Sequence, residues 1–401
     1  MDALATPLNW QRVRLGDIGI TISGLVGKTK QDFINGNAKY ITFLNVLNNV
    51  IIDTSILENV KIYPNEKQNS FKKYDLFFNT SSETPKEVGM CAVLLDDIDQ
   101  VFLNSFCFGF RIFDKAVDGL FLSYLINSEI GRKAFENLAQ GSTRYNLSKS
   151  GFNNVCLFLP PLNEQIAIAN ILSDVDRYLY NLDALILKKE SVKKALSFEL
   201  LSQRKRLKGF NQAWQRVRLG DIGKPCMCKR VMKHQTTRYG EIPFYKIGTF
   251  GNTADAFISK KLFLEYKTKY SFPKKGDILI SASGTIGRAV IYDGKPAYFQ
   301  DSNIVWIDND ETLVKNDFLF YAYSNVKWNT EHTTILRLYN DNFRNTLIPL
   351  PPLNEQIAIA NILSDLDSEI ISLKNKKRQF DNIKKALNHD LMSAKIRVLK
   401  K

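Results

Sequence analysis

The strongest constraint on the fold of this chain is that it contains part of its own sequence twice. The ten residues WQRVRLGDIG occur at 10–19 and return unchanged at 214–223. The segment LPPLNEQIAIANILSDVD at 159–176 returns at 350–367, with Leu366 in place of Val175 as its one difference. Self-similarity of this kind marks a tandem duplication. We therefore expect two structural units built on the same scaffold.

The stretches between these repeats have diverged. The first repeat pair is offset by 204 positions and the second by 191, so the first middle stretch is 13 residues longer than the second. Near-identical segments within one chain suit two copies of the same partner, whereas divergent segments suit two different targets. Uneven drift after a recent duplication is the alternative, but drift would spread the differences along the whole repeat.

A long helix is expected after each Pro-Pro pair, because proline ends the preceding strand and cannot lie inside a helix. Beyond each pair, apolar residues recur every three or four positions, as in a heptad seam. These residues are Ile168, Leu172, Val175, Leu179, Leu182 and Ile186 in the first copy and Ile359, Leu363, Leu366, Ile370 and Leu373 in the second. No proline or glycine interrupts either stretch, so each helix can run for about 44 residues, or roughly 66 Å. If a two-fold axis relates the units, the helices pair antiparallel as a coiled coil.

The remaining parts alternate short apolar and β-branched runs with turn residues, which predicts strands at 40–46, 75–78, 101–113, 242–247, 277–281 and 303–307. Helical patterns occupy 120–139 and 318–327. The sequence thus predicts an α+β fold in which two globular domains are separated by two long antiparallel helices with pseudo-two-fold symmetry. The expected segments are a first domain at 1–159, a central helical spacer at 160–208, a second domain at 209–350 and a C-terminal helical spacer at 351–401.

Charge points to a polyanionic partner. The formal net charge is +14 and the isoelectric point is near 9.3, and nucleic-acid binding is driven by phosphate neutralisation with counterion release. The basic excess is zero in 1–159, +3 in 160–208, +7 in 209–350 and +4 in 351–401. If the first domain binds DNA, it must therefore do so through a local basic face rather than through its net charge.

Candidate DNA contacts are polar side chains in loops that follow strands and cations expected to be exposed, because such groups can reach base edges or phosphates. In the first domain they are Lys28 and Lys30, the strand-end residues Asn79, Thr80 and Ser81, and Arg144 and Asn146 within 141–146. In the second domain they are Ser283, Thr285, Arg288 and, within 333–338, Arg337.

Motifs that would indicate catalysis are incomplete. The loop at 24–29 has Ile22 where a phosphate-binding P-loop needs its first glycine. The three residues Asp255, Glu265 and Lys267 could form a magnesium-dependent nuclease set, but the other copy has Tyr63 and Asn65 opposite the last two. Both Pro-Pro pairs lie in Leu-Pro-Pro-Leu rather than after the Asn or Asp of an amino-methyltransferase. We expect no catalysis by this chain.

The sequence also gives little evidence for a bound metal or for a membrane-spanning segment. Cys226 and Cys228 lack the second ligand pair of a structural zinc site, and the five scattered cysteines suit reduced thiols. The three histidines, His234, His332 and His389, have no counterparts in the other copy. Neither a signal peptide nor an apolar run of roughly 20 residues is evident. We therefore expect a cytoplasmic protein without a bound metal.

Three sets of residues resemble specificity subunits of type I restriction-modification enzymes. They are the PPLNEQ helix entries at 160 and 351, the GDIG starts at 16 and 220, and the strand and loop GDILISASGT at 276–285. The resemblance covers essentially the whole chain. It implies that each domain reads one half of a split, asymmetric site in double-stranded DNA, and that the paired helices set the gap between the halves.

The resemblance also implies partners and their cofactors. Two methyltransferase subunits would bind the helical scaffold and bring S-adenosylmethionine to methylate adenine. Separate motor-nuclease subunits would cleave unmodified DNA with ATP and magnesium, and this chain would bind no cofactor itself. Two alternatives stay open from the residues alone: a self-contained nuclease or methyltransferase, and a coiled-coil adaptor that does not bind DNA.

Overall fold

A computed structural model of the chain describes residues 9–136, 138–141, 144–332 and 336–398. Contacts divide the protein into two compact units, Met1–Asp183 with Asn375–Lys401 and Ala184–Lys374. Each unit contains one globular domain and stretches of both long helices.

The first domain is built from short strands and helices, and one long helix follows it. The strands are β1 Gln11–Arg14, β2 Gly19–Ser23, β3 Ala38–Ile41, β4 Glu58–Val60, β5 Leu76–Asn79, β6 Ser81–Ser82, β7 Cys91–Val93, β8 Val101–Leu103, β9 Cys107–Ile112, β10 Tyr145–Asn146 and β11 Cys156–Leu159. The helices are α1 Leu15–Ile18, α2 Phe43–Asn48, α3 Gly119–Asn127, α4 Glu129–Glu136, α5 Lys149–Asn153 and α6 Leu162–Leu201.

The main sheet of the first domain has the strand order β2-β9-β5-β7 with antiparallel neighbours. A smaller sheet of the same domain has the strand order β4-β3-β8. An antiparallel ribbon of β1 and β11 joins the start of the domain to its end. Phe78 and Phe152 pack edge to face in the core, with ring centroids 4.7 Å apart. Leu391 and Met392 also belong to this core, so the end of the second long helix completes the first domain.

The second unit repeats this arrangement. Its strands are β12 Gln215–Arg218, β13 Gly223–Met227, β14 Ile242–Tyr245, β15 Phe257–Ile258, β16 Ile278–Ser281, β17 Ala289–Ile291, β18 Tyr298–Phe299, β19 Ile304–Asn309, β20 Glu331–His332, β21 Leu336–Arg337 and β22 Leu347–Leu350. Its helices are α7 Leu219–Ile222, α8 Lys260–Lys269, α9 Asn316–Ala322 and α10 Asn340–Asn345, followed by α11 Leu353–Met392. The main sheet has the order β13-β19-β16-β17, the smaller sheet β15-β14-β18, and β12 pairs with β22. The order of each sheet matches that of its counterpart in the first domain.

The predicted α+β architecture is confirmed, whereas several predicted elements are shorter or interrupted. The strand expected at 40–46 ends at Ile41, because the Thr42 hydroxyl accepts a hydrogen bond from the Asn45 amide (3.2 Å) and begins α2. The run at 101–113 forms two strands, β8 and β9. The helical pattern at 120–139 divides into α3 and α4 around Ser128, whose hydroxyl accepts from the Gly131 amide.

The long helices α6 and α11 have 40 residues each, or about 60 Å of helix. In the first unit Lys377 pairs with Asp183 (2.7 Å) and Lys384 pairs with Asp176. In the second unit Lys374 pairs with Glu190 (2.6 Å) and Lys193 pairs with Asp367 (2.5 Å). Residue numbers fall on one helix as they rise on the other, so the predicted antiparallel pairing is confirmed within each unit. No helix in the described part of the chain is both long enough and apolar enough to cross a membrane.

Candidate nucleic-acid interface

Three segments of the second domain meet at the end of β16. The backbone amide of Ala282 donates to the Asn303 carbonyl at 2.8 Å, and the Ala282 carbonyl accepts from the Leu338 amide at 2.8 Å. Ser283 and Arg337 form an isolated antiparallel bridge next to these bonds. The end of one strand therefore fixes both the start of β19 and the segment that carries Arg337.

The first domain contains the same backbone frame. The Thr80 amide donates to the Phe106 carbonyl at 2.9 Å, and the Thr80 carbonyl accepts from the Leu147 amide at 2.8 Å. Asn146 pairs with Ser81 in the β10–β6 register. By these bonds Thr80 corresponds to Ala282, Phe106 to Asn303 and Asn146 to Arg337. The structure thus brings the predicted strand-end and 141–146 residues together in each domain.

The side chains on this shared frame differ between the domains. In the second domain the Asn303 Oδ1 accepts hydrogen bonds from the Ser283 hydroxyl and from Arg337 Nη2, both at 2.8 Å. In the first domain the Phe106 ring is 52% exposed, and the Arg144 guanidinium lies 5.5 Å from its centroid. Asn146 is exposed, with its amide on the Arg144 carbonyl at 3.3 Å. One domain therefore carries a hydrogen-bonded cation and the other a cation stacked on an aromatic ring.

The loop 281–288 is closed by its own hydrogen bonds. The Ser281 hydroxyl donates to the Thr285 carbonyl and accepts from the Arg288 amide (3.0 Å). Gly284 takes a left-handed φ of 64°, which favours a residue without a Cβ. Thr285 and Arg288 are exposed, and the Arg288 guanidinium reaches the Gly251 carbonyl at 3.4 Å. A rigid turn therefore presents both side chains to solvent.

Three candidate contacts are buried inside their domains rather than lying on the surface. Asn79 is 0% exposed, Ser81 4% and Ser283 7%. The Asn79 amide donates to the carbonyls of Glu87 (2.8 Å) and Ser81 (3.2 Å), and its Oδ1 accepts from the Met90 amide (2.7 Å). Buried polar groups must be hydrogen-bonded. Asn79 therefore binds loop backbone, and the Ser283 hydroxyl binds the Asn303 side chain, so both polar groups are used within the fold.

The prediction that Lys28 is exposed is wrong, because its side chain is enclosed. Its side chain is 4% exposed, and the ammonium group donates to Glu66 Oε2 (2.5 Å) and to the Lys61 carbonyl (2.6 Å). This bond lowers the pKa of Glu66 to about 2. Lys28 is therefore used inside the domain, while Lys30 is exposed in the turn that follows it.

The other candidates stay accessible or partly accessible. Thr80 is half-buried, with its hydroxyl donating to the Phe106 carbonyl at 2.8 Å, and Arg337 is half-buried. Of the two candidate segments 141–146 and 333–338, residues 142–143 and 333–335 lie outside the described residues. The sequence missed Asn303 and Phe106, and also Lys149, whose ammonium donates to the Ser23 hydroxyl at 2.8 Å. No single repeat offset aligns Phe106 with Asn303, so comparison of the two copies could not have found that pair.

A buried carboxylate marks the first turn of each long helix. Glu355 accepts two hydrogen bonds from Arg206 (2.9 and 2.8 Å) and one from the Trp214 indole (2.9 Å). Glu164 accepts two from Arg397 (2.6 and 2.8 Å). The adjacent glutamines tie each helix to its domain, since Gln165 binds the backbone of Pro160 and Asp118 and Gln356 binds that of Pro351 and Lys315. The buried part of the repeated segment thus holds helix and domain together.

The nuclease-like residues have separate partners. Asp255 pairs with Lys246 (2.8 Å) and Glu265 with Lys269 (3.0 Å), while the Lys267 ammonium lies 5.3 Å from the Phe272 ring centroid. Within the described ranges, no group of three or more His, Cys, Asp or Glu side chains is placed to hold a metal ion. Burial raises the pKa of the Cys228 thiol to about 12, which disfavours the thiolate that binds metals.

Comparison with known proteins gives a consistent result. The sequence profile described as "Type I restriction modification DNA specificity domain" matches residues 7–189 and 211–380. A putative type I restriction enzyme specificity subunit of Haemophilus influenzae is 48% identical over 238 residues, which cover 57% of this chain and 60% of that protein. The matched segment therefore spans less than two thirds of that relative. A putative type I restriction enzyme specificity subunit of Methanocaldococcus jannaschii is 27% identical over 98% of this chain and 95% of its own length.

Two solved structures share the fold. The type I restriction-modification S subunit of M. genitalium superimposes with a TM-score of 0.61 at 17% identity, covering 97% of each chain. A chain from a structure of type I restriction-modification complex assembly and conformational transition superimposes with a TM-score of 0.55 at 16% identity, covering 96% of this chain and 98% of that one. At these identities the likeness concerns the fold.

Proposed function

We propose, from the premise that this chain belongs to the type I restriction-modification DNA specificity family, that each of its two domains reads one half of a split, asymmetric DNA sequence. The chain is the recognition subunit and performs no catalysis itself. Its two long helices set the spacing between the half-sites.

The observation that carries this proposal is the shared backbone frame with different side chains. The bonds around Thr80 and Ala282 are the same within 0.1 Å, so both domains present loops at the same edge of the main sheet. The groups on that edge differ, with Phe106 and Arg144 in one domain and Asn303 and Arg337 in the other. Sequence is read by side chains at base edges, whereas backbone geometry only positions them. Two frames with different side chains suit two different half-sites.

Charge supports the same function. The second domain has a basic excess of +7, and the first has none overall. The first domain nevertheless places exposed Lys30, Arg144 and Lys149 in its candidate loops. Phosphate contacts supply most sequence-independent affinity. We therefore expect the second domain to supply more of the electrostatic attraction and the first to rely on this local set.

The repeated helix entries fit two copies of one partner. The fold explains why the buried residues of the repeated segment are identical. Exposed residues on one side of each helix start are identical as well. These are Asn163, Ile166, Asn170 and Asp174 in α6 and Asn354, Ile357, Asn361 and Asp365 in α11. Ile166 is 40% exposed and Ile357 38%. A matched pair of polar faces with an exposed isoleucine suits two identical methyltransferase subunits.

In this proposal the partner subunits catalyse the reactions. The methyltransferase subunits would bind S-adenosylmethionine and methylate adenine, and motor-nuclease subunits would use ATP and magnesium to cleave unmodified DNA. The complex would act on chromosomal DNA in the cytoplasm. A self-contained nuclease, the alternative reading, is disfavoured because Asp255 and Glu265 each pair with a different lysine.

The test is to map methylated adenines in a genome that expresses this chain with its methyltransferase subunit. The expected result is one asymmetric motif made of two short halves with a fixed gap of unread base pairs. Methylation at a continuous or palindromic motif, or DNA cleavage or methylation by the purified chain alone, would contradict the proposal.

A further inference from the structure

The guanidinium of Arg337 is held in place by a side chain on another strand. Arg337 Nη2 donates to Asn303 Oδ1 at 2.8 Å, and the same oxygen accepts from the Ser283 hydroxyl at 2.8 Å. Asn303 lies just before β19 and Ser283 just after β16. Three segments of the second domain therefore converge on one carboxamide oxygen.

The backbone of Arg337 is fixed as well. Its bridge to Ser283 is flanked by the 2.8 Å bond from the Leu338 amide to the Ala282 carbonyl. Ala282 is 0% exposed and lies directly after β16 in the main sheet. Hydrogen bonds thus hold both the backbone and the guanidinium of Arg337 before DNA binds. This lowers the conformational entropy that is lost on binding.

The bond to Asn303 leaves the guanidinium able to bind a ligand. A guanidinium carries five N–H donors in a planar fork, and the Asn303 bond uses one of them. Arg337 is half-buried rather than enclosed. A planar fork with parallel N–H donors matches the O6 and N7 acceptors of guanine in the major groove, which is the commonest specific contact of arginine with DNA.

The first domain lacks this arrangement although it keeps the frame. Asn146 stands where the second domain has Arg337, and Phe106 stands where it has Asn303. The Phe106 ring offers no hydrogen-bond acceptor and supports Arg144 by its face, 5.5 Å away. Of these two matched positions, only the one in the second domain therefore carries an arginine whose guanidinium is held by a hydrogen bond.

We propose that Arg337 reads a guanine in the half-site of the second domain, and that Asn303 is a positioning residue that orients the arginine fork. This assignment rests on the proposed function, because it names a base contact within the half-site that the second domain reads. It also predicts that the second half-site contains a guanine that no substitution in the first domain affects.

The test uses the full chain purified with its methyltransferase subunit and a pool of random DNA duplexes, from which bound sequences are selected and counted. With Arg337→Ala and with Arg337→Lys, enrichment of one guanine in the second half-site falls by roughly tenfold to a hundredfold. Lysine keeps the charge but loses the fork. The first half-site and the gap stay unchanged. Asn303→Ala lowers the same enrichment, and Asn303→Asp, which keeps the Oδ1 acceptor, restores it.

The matched control is Asn146→Ala at the equivalent position of the first domain, which leaves the second half-site unchanged. If Arg337 contacts only phosphate, its variants weaken binding to all sequences equally and the motif persists, which overturns the inference. A second half-site without guanine, or guanine enrichment that survives Asn303→Ala in a folded protein, also overturns it. If the unsubstituted complex selects no split motif, the proposed function itself has failed, a result distinct from all of these. Because Arg337 is partly exposed, its two variants keep the test decisive even where Asn303→Ala does not fold.

Discussion

Arg397 binds Glu164 through two hydrogen bonds of 2.6 and 2.8 Å, and so ties the segment after α11 to the first turn of α6. The second unit repeats this relationship between Arg206, after α6, and Glu355, in the first turn of α11. Each domain is thus completed by the segment that follows the other domain's long helix. The C-terminal segment belongs structurally to the first domain.

Removing the arginine of this pair should destabilise the first unit. Arg397→Ala leaves the Glu164 carboxylate, 3% exposed, buried without its partner, and we expect a loss of about 3 kcal/mol in the free energy of unfolding. Urea unfolding of the full chain measures it. The control is Arg177→Ala, which removes an exposed pair with Asp174 on the same helix and should cost about 0.5 kcal/mol or less. Equal effects of the two substitutions would argue against a structural role for the Arg397 pair.

The repeated tryptophans should respond differently to substitution. The Trp214 indole donates to Glu355 at 2.9 Å, whereas the buried Trp10 indole nitrogen has no hydrogen-bond partner among the described residues. Trp214→Phe loses a hydrogen bond to a charged group, worth about 1.5–3 kcal/mol, in addition to the ring contacts. Trp10→Phe loses ring contacts only. Unfolding curves that show the same loss for both variants would contradict this asymmetry.

Two buried tyrosines predict a loss of stability in alkali. Tyr124 donates to Asp176 Oδ2 at 2.7 Å and Tyr321 to Asp367 Oδ2 at 2.8 Å. Burial and the adjacent carboxylate raise the pKa of both hydroxyls above the ordinary value of 10.0. The unfolded chain therefore loses these protons first, so their stabilising effect is complete below pH 10 and declines as the pH rises above it.

The double variant Tyr124→Phe and Tyr321→Phe should flatten this decline. Each phenol contributes up to about 1.4 kcal/mol per pH unit above pH 10. Denaturant unfolding between pH 9 and 11 measures the slope, with Tyr180→Phe, which changes a ring 71% exposed, as the control. A slope that Tyr124→Phe and Tyr321→Phe leave unchanged would contradict the assignment.

Exposed arginines of the candidate loops should contribute to salt-dependent DNA binding. Arg144→Ala and Arg288→Ala should each lower the slope of log affinity against log salt concentration by up to about one. Lys28→Met should leave the slope unchanged, because the Lys28 ammonium is already paired with Glu66. Fluorescence anisotropy with a labelled duplex measures this. Lys133→Ala, an exposed cation on α4, is the control, and a reduction as large as that of Arg144→Ala would argue against the loop assignment.

The sequence predicted the features that depend on repetition and periodicity. Ile168, Leu172, Ile359 and Leu363 are all at most 1% exposed, but they pack in the domain cores. Further along the predicted seam, Leu179, Leu182, Ile186 and Ile370 are also buried, at 6–8% exposed. It failed where burial decides the role of a polar side chain. Asn79 and Lys28 belong to residue types that commonly contact DNA. However, Asn79 is buried at the end of a strand, and Lys28 is paired with Glu66, 38 residues away in the sequence. Such long-range partners leave no local pattern, which is also why Asn303 was missed.

The most direct test of the central claim, that the chain reads two half-sites at a distance set by its helices, is to lengthen both helices together. Seven residues that continue the heptad pattern are inserted into each helix next to the Asp183–Lys377 pair, which adds about 10 Å, or up to about three base pairs of DNA at roughly 3.4 Å per pair. Sequences selected from random duplexes by the wild-type and lengthened complexes are then compared. We predict the same two half-sites with a longer gap between them. Altered half-sites, or an unchanged gap, would contradict the account.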